Sequence, residues 1–501
     1  MDSKNKSHDI NHDRNNDCEK RDTNGKKEDN ITNLPPEIYE FFSKPGCLLL
    51  IQGGAGCGKT LMAWEILNEI SGGKGIYLST KIPEIAFSTQ FEWMDEKWRR
   101  RMVKFLEISD GDKMIDRIVN HLCNDSPEGK KSALDKLIEC KKPNKIVVVD
   151  SVECFSKRYG MLPEDFLIQL RSHFVDCGDA NLIAISDLNT SSAIYENADG
   201  IITLRKEKHD GRIIRIAEFN KLSHVMIKQS NHLFTLYNER VFFIPSFPVY
   251  PPCELVRNIN RPWKPLHASK GRVSTGSPSL DEVLNGGLKI GDYLLFISDT
   301  DIPDKVAFLI AIPFIANTLM LGGSVAIIPT LVGTLDDIIE VLNPFVDKNK
   351  LKHNLGFVVE ETMGEKEEEN EIVVNKYPNL DVDSHIWDEA NEVLRRRGNL
   401  LSRVIAIDYL EARYANQQVS LFRTLTNSIL QSHRKGYVTM AFLRKGSQQE
   451  KNILPFVDGI FRISSKHGAI VIYGEKPITP MYAVLPDYSA GLGRVKLQLL
   501  T

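Results

Sequence analysis

Short, nearly uninterrupted apolar runs alternate with longer stretches of helical periodicity along most of this chain. Cys47-Leu-Leu-Leu-Ile51, Ile76-Tyr-Leu78, Ile146-Val-Val-Val149 and Leu182-Ile-Ala-Ile185 form one series. Leu294-Leu-Phe-Ile297, Val325-Ala-Ile-Ile328, Val404-Ile-Ala-Ile407 and Val438-Thr-Met-Ala-Phe442 form a second. A run without polar alternation predicts a strand buried on both faces, and strands separated by helices predict parallel sheets covered on both sides. The two series match element by element. Lys145–Asp150 corresponds to Arg403–Asp408, Gly72–Thr80 to Gly322–Thr330, and Ala198-Asp-Gly200 to Val457-Asp-Gly459. Such an internal repeat predicts two tandem α/β domains of one architecture.

The polar and proline-rich stretches divide the 501 residues around these units. Residues 1–33 are almost wholly Asn, Asp, Lys, His and Glu, which bury too little apolar surface to offset chain entropy, so a disordered tail is expected. Prolines crowd residues 245–270, where neither a helix nor a central strand tolerates them, and this stretch is read as a linker. The first domain is therefore expected over 34–244 and the second over 271–501.

The first apolar run feeds Gly53-Gly-Ala-Gly-Cys-Gly-Lys-Thr60 and then an amphipathic stretch, Leu61 to Ile70. This is a phosphate-binding loop in strand-to-helix context. Glycines at 53, 54, 56 and 58 let backbone N–H groups turn inward where a Cβ would intrude. Gly53, Gly54, Ala55, Gly56, Cys57 and Gly58 would line the phosphates, with Lys59 on the β/γ-phosphates and the Thr60 hydroxyl on Mg²⁺. The helix start adds its partial positive charge to the same anion. Asp150 closes a strand expected beside this loop, so it is the second candidate metal residue. The ligands implied are ATP and Mg²⁺. Hydrolysis also needs a group that orients water. The strand ending in Tyr77-Leu-Ser-Thr-Lys81 reaches no acid before Glu84, which makes Glu84 the candidate and predicts slow or absent turnover.

The matching loop of the second half reads Asp299-Thr-Asp-Ile-Pro-Asp-Lys-Val306. Lys305 survives, but Asp299 and Asp304 replace framework glycines and Val306 replaces the magnesium hydroxyl. Carboxylates facing a triphosphate repel it, so this half is expected to bind no ATP through the loop.

The glycine loop, the strand end Val148-Val-Asp-Ser151, the segment Val273–Leu288, and Ala198–Arg205 followed by Phe219-Asn-Lys-Leu222 together resemble the KaiC and RadA branch of the RecA-like ATPases. The likeness covers nearly everything after residue 34 and implies two tandem RecA-like domains, the second degenerate. An intact first half followed by a decayed second, opened by Leu34-Pro-Pro-Glu-Ile-Tyr-Glu-Phe-Phe42, is similar to the archaeal gas-vesicle regulatory protein D family. That resemblance implies a cytoplasmic, P-loop-dependent regulator that represses gas-vesicle genes by acting on a transcriptional activator protein. Two departures stand out. KaiC-type proteins carry paired glutamates where this chain has Thr80 and Lys81. Their Lys-Leu-Arg triplet, which reaches a neighbouring subunit's nucleotide, reads Lys221-Leu-Ser223 here, leaving Lys221 as the candidate trans-acting group.

Charge narrows the function classes. A net charge of −3 offers no global attraction to nucleic acid, which disfavours a DNA motor. Local basic runs occur at Lys97–Lys104, at Arg395-Arg-Arg397 and at Arg205–Arg212, the last around an expected hairpin turn at Asp210-Gly211. Arg99, Arg100 and Arg101, beside Trp93 and Trp98, are the candidate contacts for a protein partner; a solvated helix face is the simpler reading of such a run. The eight cysteines lie at or before Cys253 without a C-x-x-C pair, as expected of reduced cytoplasmic thiols. No apolar run approaches the ~20 residues of a membrane span. The expected function is a nucleotide-gated switch acting on a protein partner. The alternative is a ring-forming homo-oligomeric ATPase acting on DNA or protein.

Overall fold

The computed structural model describes residues 33–72, 75–79, 103–105, 146–176, 180–187, 192–247, 263–329, 335–360, 371–374 and 378–501. The tail expected over 1–33 lies almost wholly outside these residues, as does the central part of the expected linker, 248–262. The flanks of that linker are packed: the Phe247 amide donates to Gly468 O at 2.9 Å, and Trp263 is buried in the second half.

The strands of the first half are β1 (Leu48–Gly53), β2 (Gly75–Ser79), β3 (Val103–Phe105), β4 (Ile146–Asp150), β5 (Asn181–Ser186), β6 (Gly200–His209), β7 (Arg212–Leu222), β8 (Asn231–Thr235) and β9 (Phe242–Phe243). They form one sheet in the order β3-β2-β4-β5-β1-β6-β7-β8-β9, parallel through β6 and antiparallel beyond it. After a short ribbon of β10 (Arg272–Val273) and β11 (Leu288–Lys289), the second half repeats the plan. Its strands are β12 (Tyr293–Ser298), β13 (Ser324–Ile328), β14 (Leu355–Glu360), β15 (Glu371–Val374), β16 (Leu401–Ala406), β17 (Val438–Arg444), β18 (Gly459–Lys466), β19 (Ala469–Lys476), β20 (Ile478–Asp487) and β21 (Arg494–Leu499). The order is β15-β14-β13-β16-β17-β12-β18-β19-β20-β21. The pairs aligned by sequence, β1 with β12, β2 with β13, β4 with β16 and β5 with β17, hold equivalent places in the two sheets. The fold is thus the predicted α/β plan, used twice.

Five helices carry or cover the candidate sites: α1 (Lys59–Ser71), α2 (Val152–Tyr159), α3 (Lys305–Met320), α4 (Leu380–Arg397) and α5 (Gln418–Lys435). Helix α1 buries Met62, Ala63, Ile66 and Leu67 against one face of the first sheet and ends on Gly72 in the left-handed region. Its counterpart α3 is apolar on nearly every side and correspondingly buried on nearly every side. The other face of the second sheet carries α4 and α5 over Leu295, Ile297, Ile405 and Ala441.

The antiparallel ends of the two sheets meet. Ile214 and Ile216 of β7, Leu233 of β8 and Ile244 are buried with Val471 and Tyr473 of β19, Met481 and Ala483 of β20, and Leu500. At ~1.5–3 kcal/mol for each large apolar side chain removed from water, this contact ties the halves together. The β6–β7 turn is the predicted one. Asp210 and Gly211 take positive φ of 47° and 76°, as a two-residue hairpin requires. The basic stretch Arg205–Arg212 divides between two places: Lys206 stands near Gly56 of the glycine loop, and the tip docks elsewhere. The tip meets the second half of its own chain: Arg212 donates to Thr479 O and Gly474 O at 2.7 Å each, and the Tyr473 hydroxyl donates to Asp210. That bond holds the Asp210 carboxyl below its ordinary pKa.

Candidate functional site

The loop at 53–60 leaves the C-terminal end of β1, with β5 on one side and β6 on the other. Two glycines are dictated by this setting. A Cβ at Gly53 would come within 2.5 Å of Leu204 O, and Gly58 holds φ of 102° while capping α1. Ala55 is exposed and Cys57 is a buried free thiol within the curve. Lys59 folds back along the loop. Its ammonium donates to Gly53 O, to Gly54 O at 3.3 Å and to Asp187 Oδ1 at 3.0 Å. Lys206 of β6 stands over the same curve, since a Cβ on Gly56 would lie 2.9 Å from its Nζ.

The two predicted metal residues come together. Thr60 Oγ1 donates to Asp150 Oδ2 at 2.9 Å, although 90 positions separate them, because β4 brings its end beside the start of α1. Tyr77 of β2 donates to the same oxygen at 2.8 Å, and its ring stacks on Trp64 at 5.0 Å. Burial first, and the Asp150 carboxylate second, push the Tyr77 phenol well above its ordinary pKa, so it stays a donor. A hydroxyl and a buried carboxylate in contact at the mouth of a glycine loop are the donor set Mg²⁺ takes beside a phosphate.

Two acids that the sequence did not single out lie here. Asp187, the first residue past β5, is more than half exposed and pairs with Lys59. Glu153 of α2 accepts from the Asp187 amide at 2.8 Å and from the Ser186 hydroxyl, and its Oε2 is buried with no partner among the described residues. The available signal was positional: an acid directly beyond the strand flanking β1, and an acid three residues after Asp150. Glu84 and the partner candidates Arg99, Arg100 and Arg101 lie outside the described residues. Lys221 does not join this site within its own chain. It pairs with Ile201 at the opposite end of β6 from the loop and donates to Ala198 O at 2.6 Å, so any contact with nucleotide would be on another copy. Arg395–Arg397 close the last turn of α4, with Arg395 beside Glu392 at 3.3 Å and Arg397 donating to His353 O at 3.1 Å. Their place in the last turn also sets three cations at the negative end of the helix.

One residue joins the loop to the other half. Arg215 of β7 donates through Nη1 to Gly56 O at 2.9 Å and through Nε to Thr501 O at 2.6 Å. Thr501 in turn meets Thr235 of β8, its amide donating to Thr235 Oγ1 at 3.2 Å. Burial lowers the Arg215 pKa.

The remnant loop of the second half borders a cavity of about 250 Å³, lined among others by Asp304, Val306, Asp408 and Arg444, and its acids Asp299 and Asp304 are paired within the chain. Arg444, at the end of β17, ion-pairs with Asp304 and donates to Thr300 O and Ile302 O at 3.2 Å each. Lys445 pairs with Asp299 at 3.2 Å. Asp408, the counterpart of Asp150, accepts from the Arg444 amide at 3.0 Å, and burial raises its pKa. Val306 offers no hydroxyl to face it.

Comparison with known proteins agrees with this geometry. Residues 44–246 match the family model "ATPase: KaiC". "Protein GvpD2" of Halobacterium salinarum is 24% identical over 506 residues, spanning 93% of this chain and 96% of that protein. "Protein GvpD1" of the same organism is 26% identical over 322 residues, 61% of this chain and 58% of its own length. The first half carries a KaiC-like ATPase domain, and the match to the first relative runs through both halves. Among the described residues, no helix is long and apolar enough to cross a membrane.

Proposed function

We propose that this RecA-superfamily, GvpD-like chain is a nucleotide-gated regulator of the gas-vesicle type, whose ATP-bound first half sets the state of a second half that acts on a protein partner. The observation that carries this reading is Arg215, a single guanidinium shared by Gly56 of the loop and Thr501 of the far half. In this reading the inward N–H groups of Gly54 to Lys59 hold the phosphates of ATP. Lys59 exchanges the Gly53 and Gly54 carbonyls and Asp187 for phosphate oxygens. Thr60 and Asp150 would hold Mg²⁺, which supplies charge neutralisation at the β/γ-phosphates.

When the loop reshapes around phosphate, Gly56 O moves relative to Arg215, and β7 carries that change into the packed face shared with β19 and β20. Such a switch needs only that ATP bind one arrangement better than the other. Asp187, released by Lys59, is the group placed to orient water, with Glu153 steadying it through its backbone amide. Its exposure and the ordinary Lys59 pairing suit slow or absent turnover. The partner is a protein of the transcriptional-activator kind, and Arg99–Arg101 are its candidate contacts.

Hydrogen exchange with and without Mg-ATP tests the reading, comparing the parent with Lys59→Ala and Arg215→Ala. The expected result is nucleotide-dependent protection in β19–β21 of the parent, lost in both variants, while Arg215→Ala still binds ATP. Unchanged exchange in β19–β21 of an ATP-bound parent would sink it.

A further inference from the structure

The later half holds a second cavity, of about 530 Å³, on the sheet face opposite α3 and so apart from the remnant loop. It opens between α4 and α5, with β13, β14 and β16 as its floor. Its size falls within the range of small-molecule sites, and its walls mix apolar floor residues with polar groups, as such sites do.

At the floor lies Arg403 of β16, which is only 3% exposed. Its Nε donates to Thr439 Oγ1 at 3.0 Å, and its Nη2 donates to Ser428 O at 2.9 Å and Ser432 Oγ at 2.6 Å. The Tyr437 ring lies 5.1 Å from its Cζ. These neighbours fix the guanidinium in place, yet every acceptor is neutral. Among the described residues Arg403 has no ion-pair partner, and its Nη1 has no acceptor. A buried charge that is oriented but not neutralised is costly, and it is normally matched by an opposite charge.

A second donor points the same way. Trp387 of α4 lines the cavity, and its indole N–H is buried without an acceptor among the described residues. Arg423 and Arg434 of α5 add two exposed cations at the rim. Of the acids, Asp388 accepts from Gln431 at 3.0 Å through both oxygens and its charge favours the Arg403 cation without touching it, and Asp381 is exposed at the edge, so three guanidinium groups face two carboxylates. The surplus in this cavity is of donors and positive charge.

We infer that this cavity binds a small multivalent anion, carrying carboxylate or phosphate groups, whose oxygens accept from Arg403 at the floor and from Arg423 and Arg434 at the rim. Guanidinium groups favour such planar or tetrahedral oxyanions because parallel N–H donors match their geometry. The site is independent of the nucleotide loop. It gives the second half a ligand of its own, where Asp304 and Asp299 of the remnant loop are paired with Arg444 and Lys445.

The test uses the full chain carrying Lys59→Ala, so that phosphate binding at the first-half loop is suppressed. Calorimetric titrations at low ionic strength use inorganic phosphate in one series and citrate in the other. Saturable binding in the phosphate series alone identifies a phosphate-bearing ligand, and in the citrate series alone a carboxylate-bearing one. Binding in both identifies a general oxyanion site. Adding Arg423→Ala and Arg434→Ala, both at exposed positions, should weaken that binding about tenfold, the worth of a charge-assisted bond. Arg403→Gln should remove it. If Arg403→Gln does not fold, the rim variants decide. No saturable binding of either anion, or binding that the rim variants leave unchanged, overturns the proposal.

Discussion

The same strand-to-helix corner occurs twice in this molecule with its charges reversed. In the first half the loop presents Lys59 and the strand end presents Asp187; in the second the loop presents Asp304 and Asp299 and the strand end presents Arg444 and Lys445. The first corner holds its ammonium on one exposed acid, Asp187, and on the carbonyls of Gly53 and Gly54, partners that phosphate oxygens could replace. The second corner brings its own anions as aspartates and its own cations as basic residues, so it is neutral without a ligand. Decay of a phosphate loop therefore involves more than loss of glycine. The strand-to-helix position survives, but Asp304 caps its helix in the right-handed region where Gly58 is left-handed, and the chain supplies both partners of the interaction.

The largest expected effect separates the two corners outright. Lys59→Ala should weaken Mg-ATP binding by roughly 100-fold, the value of charge-assisted bonds to phosphate, while leaving the thermal transition in place. A fluorescent ATP analogue titrated against both proteins measures it. Equal affinity would mean that nucleotide sits elsewhere.

Asp187→Asn sharpens the comparison at the strand end. Whatever turnover the parent shows should fall by roughly 10²-fold, with nucleotide affinity held within about threefold, as expected for a group that acts on water. Phosphate release under single-turnover conditions distinguishes this from a binding defect. An unaltered rate would return the role to Glu84.

Arg444→Ala attacks the pairing at the second corner. Two backbone carbonyls and Asp304 lose their donor, so stability should drop by about 1–2 kcal/mol in a urea titration, a figure kept low because the ion pair is part-exposed. First-half ATP affinity should not change. Smallest of all, Lys305→Ala should move stability by less than ~0.5 kcal/mol and leave nucleotide binding as it was, because no phosphate is there to lose. A measurable loss of ATP binding in Lys305→Ala would break the comparison, since it would show the second loop at work.

Much of the fold was legible because its cause is local. The apolar runs at Cys47–Ile51 and Leu294–Ile297 announce strands buried on both faces, and Asp210-Gly211 announces a two-residue turn. The loop could be read from eight consecutive residues because its glycines are needed by its own backbone. Thr60 and Asp150 were expected together because a phosphate-bound metal demands a carboxylate from a neighbouring strand, and their side chains meet at 2.9 Å. Glu153 and Asp187 were missed because an acid after a strand has no local signature: only the order β4-β5-β1 brings Asp187 onto Lys59. Lys221 was read from its triplet as a contact to a neighbouring subunit's nucleotide, and the antiparallel β6–β7 pair sets it beside Ile201, away from the loop of its own chain.

By itself, then, the sequence determined two repeats of one α/β plan, an intact phosphate loop in the first, and the loss of its glycines and hydroxyl in the second. Tertiary structure decided what those loops touch. Arg215 meets Gly56 across 159 positions and Thr501 across 286, and Arg444 meets Asp304 across 140. The physical reason is range. Backbone conformation answers to neighbours along the chain, whereas the partner of a charge is chosen by sheet order and by the packing of one half on the other.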